Sequence, residues 1–265
     1  MADRRQFDAM KEIAASETQP SSTRRPVVAS VVPDLAPKLD ESLFQALKAA
    51  ALSADPNACK HAIRAAIATG TSPEDLADHY IPALARDMGD LWCVDQLSFA
   101  GVTIGVSRLQ AMLREMGPKW SSDNAAGPAS SSILLIVGKD VYHTLGAIVL
   151  SGQLRRKGFS VKLILGGKRA DIAQRIQRTK YQAVFISSSR GERLESLRQI
   201  IDVVKTSAQT PPPVVVGGSI LEVETANDVT ALTGADYATR IPDEALEFCG
   251  LHDIQHSQSH ATGRT

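Results

Sequence analysis

Four apolar runs in the second half of the chain, "ILLIV", "VKLIL", "AVFIS" and "PVVVGG", constrain the fold more than any other feature. Each is too short to be a buried helix. Between them lie stretches with helical spacing, such as Leu194, Leu197, Ile200, Ile201 and Val204. Strands that are apolar throughout must be covered on both faces, and strands separated by helices run parallel. The sequence therefore predicts an α/β fold, a flavodoxin-like (Rossmann-like) doubly wound parallel sheet over residues 132–250, closed by a short last strand near "GADYATR".

Upstream the pattern is helical. Leu43, Phe44, Leu47, Ala50 and Ala51 share one face, and after a break at "SADPN" so do Cys59, Ala62, Ile63, Ala66 and Ile67. A third helix is predicted from "GTSPEDL", with Ser72 as its cap and Pro73 at the first helical position, running to about Trp92 with a kink at Pro82. A fourth carries Phe99, Val102, Val106, Leu109 and Leu113 and stops at Gly117-Pro118. Residues 39–117 thus read as an N-terminal four-helix bundle, a cap on the sheet domain.

Residues 118–131, with "SSDNAAGPASSS", have the composition of a linker. Residues 1–38, rich in proline, serine and threonine, read as a flexible tail with a short helix near residues 7–13, and residues 251–265 as a disordered polar tail.

Lysine plus arginine equals aspartate plus glutamate at 29 each, so the chain has no overall electrostatic footprint for nucleic acid or for a membrane surface. The N-terminus lacks the apolar stretch of a signal peptide, and no apolar run approaches the roughly 20 residues of a spanning helix. The expected location is cytoplasmic. Cys59, Cys93 and Cys249 are odd in number and in no metal-binding spacing, as befits reduced thiols.

In a doubly wound sheet, ligands sit beyond the carboxyl ends of the strands. On that edge the sequence places "KDVYHTLG" after the first strand, Ser187 to Ser189 after the third and Gly217-Gly218 after the fourth. Small side chains there leave a slot suited to a flat group. Neither the GxGxxG dinucleotide fingerprint nor the phosphate-binding P-loop pattern is present at that edge.

The combination resembles the cobalamin-binding domain of methionine synthase and its relatives, whose pattern is Asp-x-His-x-x-Gly, then Ser-x-Leu, then Gly-Gly. The match is "HTLG" from His143 to Gly146, "SSS" with Ser187 at the serine position, and Gly217-Gly218. Upstream, "MGDLW" (Met88 to Trp92) is similar to the end of the third helix in the four-helix cap of that superfamily. The resemblance implies that Trp92 covers the upper face of the corrin and that His143 is the cobalt ligand. It also implies a cofactor site including Asp140, Tyr142, Thr144, Gly146, Ser187, Ser189, Gly217 and Gly218.

Two departures stand out. Asp140 lies three residues before His143, not two, so the motif has one extra residue. Light-dependent cobalamin regulators carry a Glu-His pair ten and eleven residues after the cap tryptophan, and here those positions are Val102 and Thr103. Small groups on the upper face imply a hydroxo- or aquo-type cobalamin instead of the adenosyl form.

With a cap, a cobalamin domain and no helix-turn-helix of its own, the chain resembles the AerR/PpaA antirepressors of photosynthetic bacteria. That resemblance implies a light- or redox-responsive regulator, not an enzyme, acting through protein-protein contact on a photosynthesis-gene repressor of the CrtJ/PpsR type, with direct DNA contact only in complex and no membrane partner. Two other readings stay open on the same fold: a corrinoid carrier for a methyltransferase (or a mutase module), and a haem-binding redox sensor. His252, His256 and His260 would share one face if helical and could then ligate metal, although a solvated tail explains them too.

Overall fold

The computed structural model describes residues 39–117, 120, 131–138 and 144–252. Its first part is helical: α1 (Glu41–Leu52), α2 (Ala58–Ala68), α3 (Pro73–Asp75) leading through a π turn (Leu76–Tyr80) into α4 (Ile81–Cys93), and α5 (Phe99–Glu115). Short polar side chains start these helices. Asp40 accepts from the Leu43 amide (2.8 Å), Ser72 from Asp75 (3.0 Å) and Ser98 from Gly101 (3.1 Å), each satisfying an amide that has no partner inside its helix.

The kink expected at Pro82 takes a particular form. Proline lacks an amide hydrogen and its ring crowds the carbonyl four residues back, here that of Asp78. The chain widens into the π turn just before it, with the Ile81 amide bonded to the Leu76 carbonyl. That bulge carries Asp78, and Asp78 pairs with Arg156 of the sheet domain.

The second part alternates strands and helices: β1 (Ser132–Val137), α6 (Leu145–Arg156), β2 (Ser160–Leu165), α7 (Arg169–Arg178), β3 (Ala183–Ser187), α8 (Leu194–Ser207), β4 (Val214–Gly217), a 3-10 turn (Ser219–Glu222), α9 (Ala226–Thr233), β5 (Tyr237–Ala238) and α10 (Pro242–Phe248). The strands form one parallel sheet in the order β2-β1-β3-β4-β5, the flavodoxin-like arrangement.

Each face of the sheet has its own core. Leu134, Ile136, Val184 and Val216 pack under α7, α8 and α9 through Ile172, Ile176, Leu197, Ile201 and Val229. Ile133, Leu135, Val137 and Phe185 pack under α6 and α10 through Ala147, Leu154, Ala245 and Leu246. The alternation along each strand is what divides the apolar residues between the two layers.

A third core fills the helical part and reaches onto α6, where Leu145 and Val149 join Leu109, Met112, Leu113 and Trp120. Trp120 is the wedge of this junction. It is 6% exposed, its Nε1 donates to the Leu113 carbonyl at 2.7 Å, and its ring lies where a side chain on Gly152 of α6 would otherwise be. Arg156 donates both to the Trp120 carbonyl and to Asp78, so one guanidinium ties the wedge to the π turn. Trp120 thus packs between the helical part and α6.

Candidate functional site

Strand register sets the site. Val137 stands beside Ser187, and Ser187 beside Gly217, so β1, β3 and β4 end level and their loops open on one edge. This edge is also where the chain order reverses, between β1 and its two neighbours β2 and β3. Asp140, Tyr142 and His143 lie outside the described residues, in the stretch between β1 and α6.

The serine-glycine segments interlock. The Ser188 amide donates to the Gly217 carbonyl at 2.8 Å, and the Ile220 amide to the Ser188 carbonyl at 3.4 Å. Gly218 has φ +103, a conformation that side chains disfavour, and a Cβ there would collide with the Ser188 carbonyl. A Cβ on Gly217 would sit 2.8 Å from the Thr239 carbonyl. Both glycines are thus required by the protein's own backbone, and their effect is to keep the floor of the slot low.

Ser187 is half-buried, while Ser188 and Ser189 are buried. The Ser188 Oγ has no hydrogen-bond partner among the described residues. A buried hydroxyl without a partner costs free energy unless something else supplies the bond. Gly146, in the first turn of α6, is exposed, and a Cβ there would meet nothing within 4 Å, so space is open above it.

The cap contributes a second group of residues. Trp92 is half-buried and its ring meets Phe99 at a centroid distance of 6.1 Å, tilted by 57°. Val102 is half-buried and Thr103 exposed, with its hydroxyl donating to the Phe99 carbonyl (2.9 Å) one turn back. Around them Val94, Phe99 and Ile104 are 62%, 43% and 51% exposed.

The predicted stripe lies on α5, and burial divides it. Leu109 and Leu113 are buried, but Phe99 at its other end is not, because the helix runs past the edge of the bundle core. Phe99 pairs with Trp92 at an open end of the cap. The sequence signal for this was the aromatic pair flanking the turn "CVDQLS".

A side-chain bond runs from the cap to the start of α6. Gln110 of α5 donates through Nε2 to the Thr144 Oγ1 at 3.1 Å, and Thr144 follows His143 directly in the chain. Sequence reasoning missed Gln110, since a single glutamine on a helix carries no pattern. It grouped Ser188 with its neighbours on the sheet edge and singled out only Ser187 and Ser189.

Titration separates the thiols. Burial, and then the nearby Asp236 charge, push the Cys249 thiol up to about 11, and burial raises that of Cys59. Among the described residues no group of three or more His, Cys, Asp or Glu side chains is placed to hold a metal ion. Of the tail histidines, His252 is exposed, and His256 and His260 lie outside the described residues.

Comparison with known proteins adds the following. Residues 131–247 match the family described as the B12 binding domain. An uncharacterized 20.5 kDa protein in the bchF-crtJ intergenic region of Rhodobacter capsulatus is 32% identical over 166 residues, which cover 63% of this chain and 85% of that protein. The structure of the monomethylamine corrinoid protein of Methanosarcina barkeri has the same fold, with a TM-score of 0.60 at 14% identity, over 78% of this chain and 94% of that one.

The described residues suit a corrinoid with a nucleotide tail. The slot has a low floor at Gly217-Gly218, a buried hydroxyl free to bond at Ser188 and open space above Gly146. Among the described residues no helix is long and apolar enough to cross a membrane.

Proposed function

Because the chain belongs to the cobalamin-binding AerR/PpaA-type family, we propose that it is a regulatory protein that uses the cofactor as a light or redox sensor and acts as an antirepressor without catalysis of its own. Its partner in this reading is a repressor of the CrtJ/PpsR type, engaged by protein-protein contact. The observation that carries the regulatory reading is the Rhodobacter capsulatus relative, which lies in the bchF-crtJ intergenic region.

When bound, cobalamin would supply a cobalt centre whose ligation responds to light or oxidation state. The chain does the rest. His143, the residue before Thr144, would hold the cobalt through a ring nitrogen. Ser187, Ser188, Ser189, Gly217 and Gly218 line the slot for the nucleotide tail, and Gly146 leaves room beside it. Trp92 and Phe99, with Val102 and Thr103, cover the other face and exclude water. Asp140 and Tyr142 belong to the same motif as the histidine.

Coupling follows from Gln110. Since it holds Thr144, a change in how His143 is held is felt by α5 and shifts the population of cap positions. The small groups at Val102 and Thr103 favour a hydroxo- or aquo-cobalamin over the adenosyl form.

Absorption spectra test the cofactor reading. Protein purified from a cobalamin-replete host is expected to show a corrinoid spectrum, and His143→Ala to lower affinity for hydroxocobalamin by at least about tenfold. A haem spectrum, or unchanged affinity in the variant, rejects it. Equal tight uptake of adenosyl- and hydroxocobalamin in the dark rejects the cofactor form. Cofactor-dependent release of a CrtJ/PpsR-type repressor from its DNA supports the antirepressor, whereas methyl transfer to a partner enzyme's substrate makes the chain a corrinoid carrier.

A further inference from the structure

The sheet has one long free edge. β2 is its outermost strand, paired only with β1. The amides of Ser160 and Gly166 point inward, bonded to the carbonyls of Ser131 and Val137. Main-chain groups alternate sides along a strand, so those of Leu163 and Leu165 point outward. Edges with unpaired main-chain groups are templates for another strand.

Natural edges are often blunted, and the surroundings decide whether this one is. The outer side of β2 and the flank of α7 enclose an open groove of about 550 Å³ that includes Lys162 to Gly167, Asp171, Arg175 and Arg178. Lys162 shares a sheet face with Ile164, the face covered by α7, and so points to the same side as Arg175 and Arg178. Leu163 and Leu165 point to the other side, and Leu165 is 47% exposed. Three cations face one carboxylate, and none of the three has an ion-pair partner among the described residues. The groove is therefore positive on one side of the strand and apolar on the other, although the chain as a whole is neutral.

We propose that the β2 edge is a docking site for an extended acidic segment of a partner protein, added as a further strand beside β2. Main-chain bonds to Leu163 and Leu165 would supply affinity, and side-chain alternation would supply selectivity. Residues of one parity meet Lys162, Arg175 and Arg178 and are acidic; those of the other parity meet Leu163 and Leu165 and are apolar. A second copy of this chain is the wrong occupant. Pairing two β2 edges about a two-fold axis would bring Lys162, Arg175 and Arg178 of both copies together, and like charges across an interface oppose it. The proposal does not depend on the cofactor reading.

The test titrates the intact chain, followed by amide NMR shifts, with three blocked hexapeptides: alternating Val-Glu, alternating Val-Lys, and Val-Glu with alternate amides N-methylated. Only the first is expected to bind, with shifts at Leu163 and Leu165, and the other two to bind at least about tenfold more weakly. Reversing charge at Lys162, Arg175 and Arg178 to Glu together should reduce binding of the Val-Glu peptide by at least the same factor while circular dichroism is unchanged. Val-Glu binding that survives N-methylation shows a merely electrostatic patch and overturns the proposal. So does equal binding of Val-Lys, tighter binding of a single-stranded oligonucleotide, a concentration-dependent dimer through β2, or no binding at all. If the charge-reversed protein misfolds, Arg178→Gln with Arg175→Gln gives the same comparison without like-charge strain on α7.

Discussion

The two ends of α5 both carry large apolar side chains and have opposite surroundings. At its C-terminal end Leu109, Met112 and Leu113 are buried against α6 and Trp120, and Arg156 fastens the contact to Asp78. At its N-terminal end Phe99 and Ile104 are exposed, Phe99 beside Trp92. One end is a joint and the other a surface. The difference teaches that the cap is oriented by its far side, which leaves large apolar side chains uncovered on the near side. Such exposed groups rimmed by polar residues mark a binding surface.

The largest test breaks the joint. Trp120→Ala removes an indole that fills the space beside Gly152 and is expected to cost about 3–5 kcal/mol, read by urea denaturation. The helical part should then unfold ahead of the sheet. A loss well below that range would mean that α5 is held elsewhere.

A change at the open end should separate stability from binding. Trp92→Ala is expected to alter unfolding free energy by only about 1 kcal/mol or less, because the side chain is already half-exposed. Affinity for hydroxocobalamin, measured by calorimetry, should fall about thirtyfold, as befits an aromatic anchor. The reverse pattern, lost stability with unchanged affinity, would assign Trp92 to the cap core.

The smallest effect lies on the sheet. The Cys249 thiol is raised from 9.0 to about 11, so the folded state holds its proton more tightly than the unfolded chain does. Its contribution is complete below about pH 9 and is lost as pH rises towards 11. Solvent screening of this half-exposed group limits the loss to about 1 kcal/mol or less. Cys249→Ser should flatten that part of the stability curve. At pH 8 iodoacetamide should label exposed Cys93 first and leave buried Cys59 for last.

Much of this molecule was legible in the residues. Four runs of branched apolar side chains can only be strands buried on both faces, and their spacing by helices sets them parallel; β1, β2, β3 and β4 follow. β5 is only two residues long and was found by its position after α9, not by pattern. Glycines were legible as required small residues, while what they make room for was not: Gly218 yields to a carbonyl of its own chain and Gly152 to Trp120. That the Phe99 end of α5 stands open was not legible, because helical periodicity reports which side chains share a face, not whether a neighbour reaches that far.

By itself, the sequence determined the order of elements, the faces that must be buried and the short motifs that gather at one sheet edge, since all of these depend on local spacing and on the apolar or polar character of each residue. Tertiary structure alone decided what meets across the chain. Trp120 entering the notch at Gly152, Arg156 reaching Asp78 in the π turn, Gln110 holding Thr144, and the cations of α7 lining the β2 edge are all contacts between elements. Such contacts depend on packing angles and on the register of one layer against another, and no periodicity within a single segment encodes them.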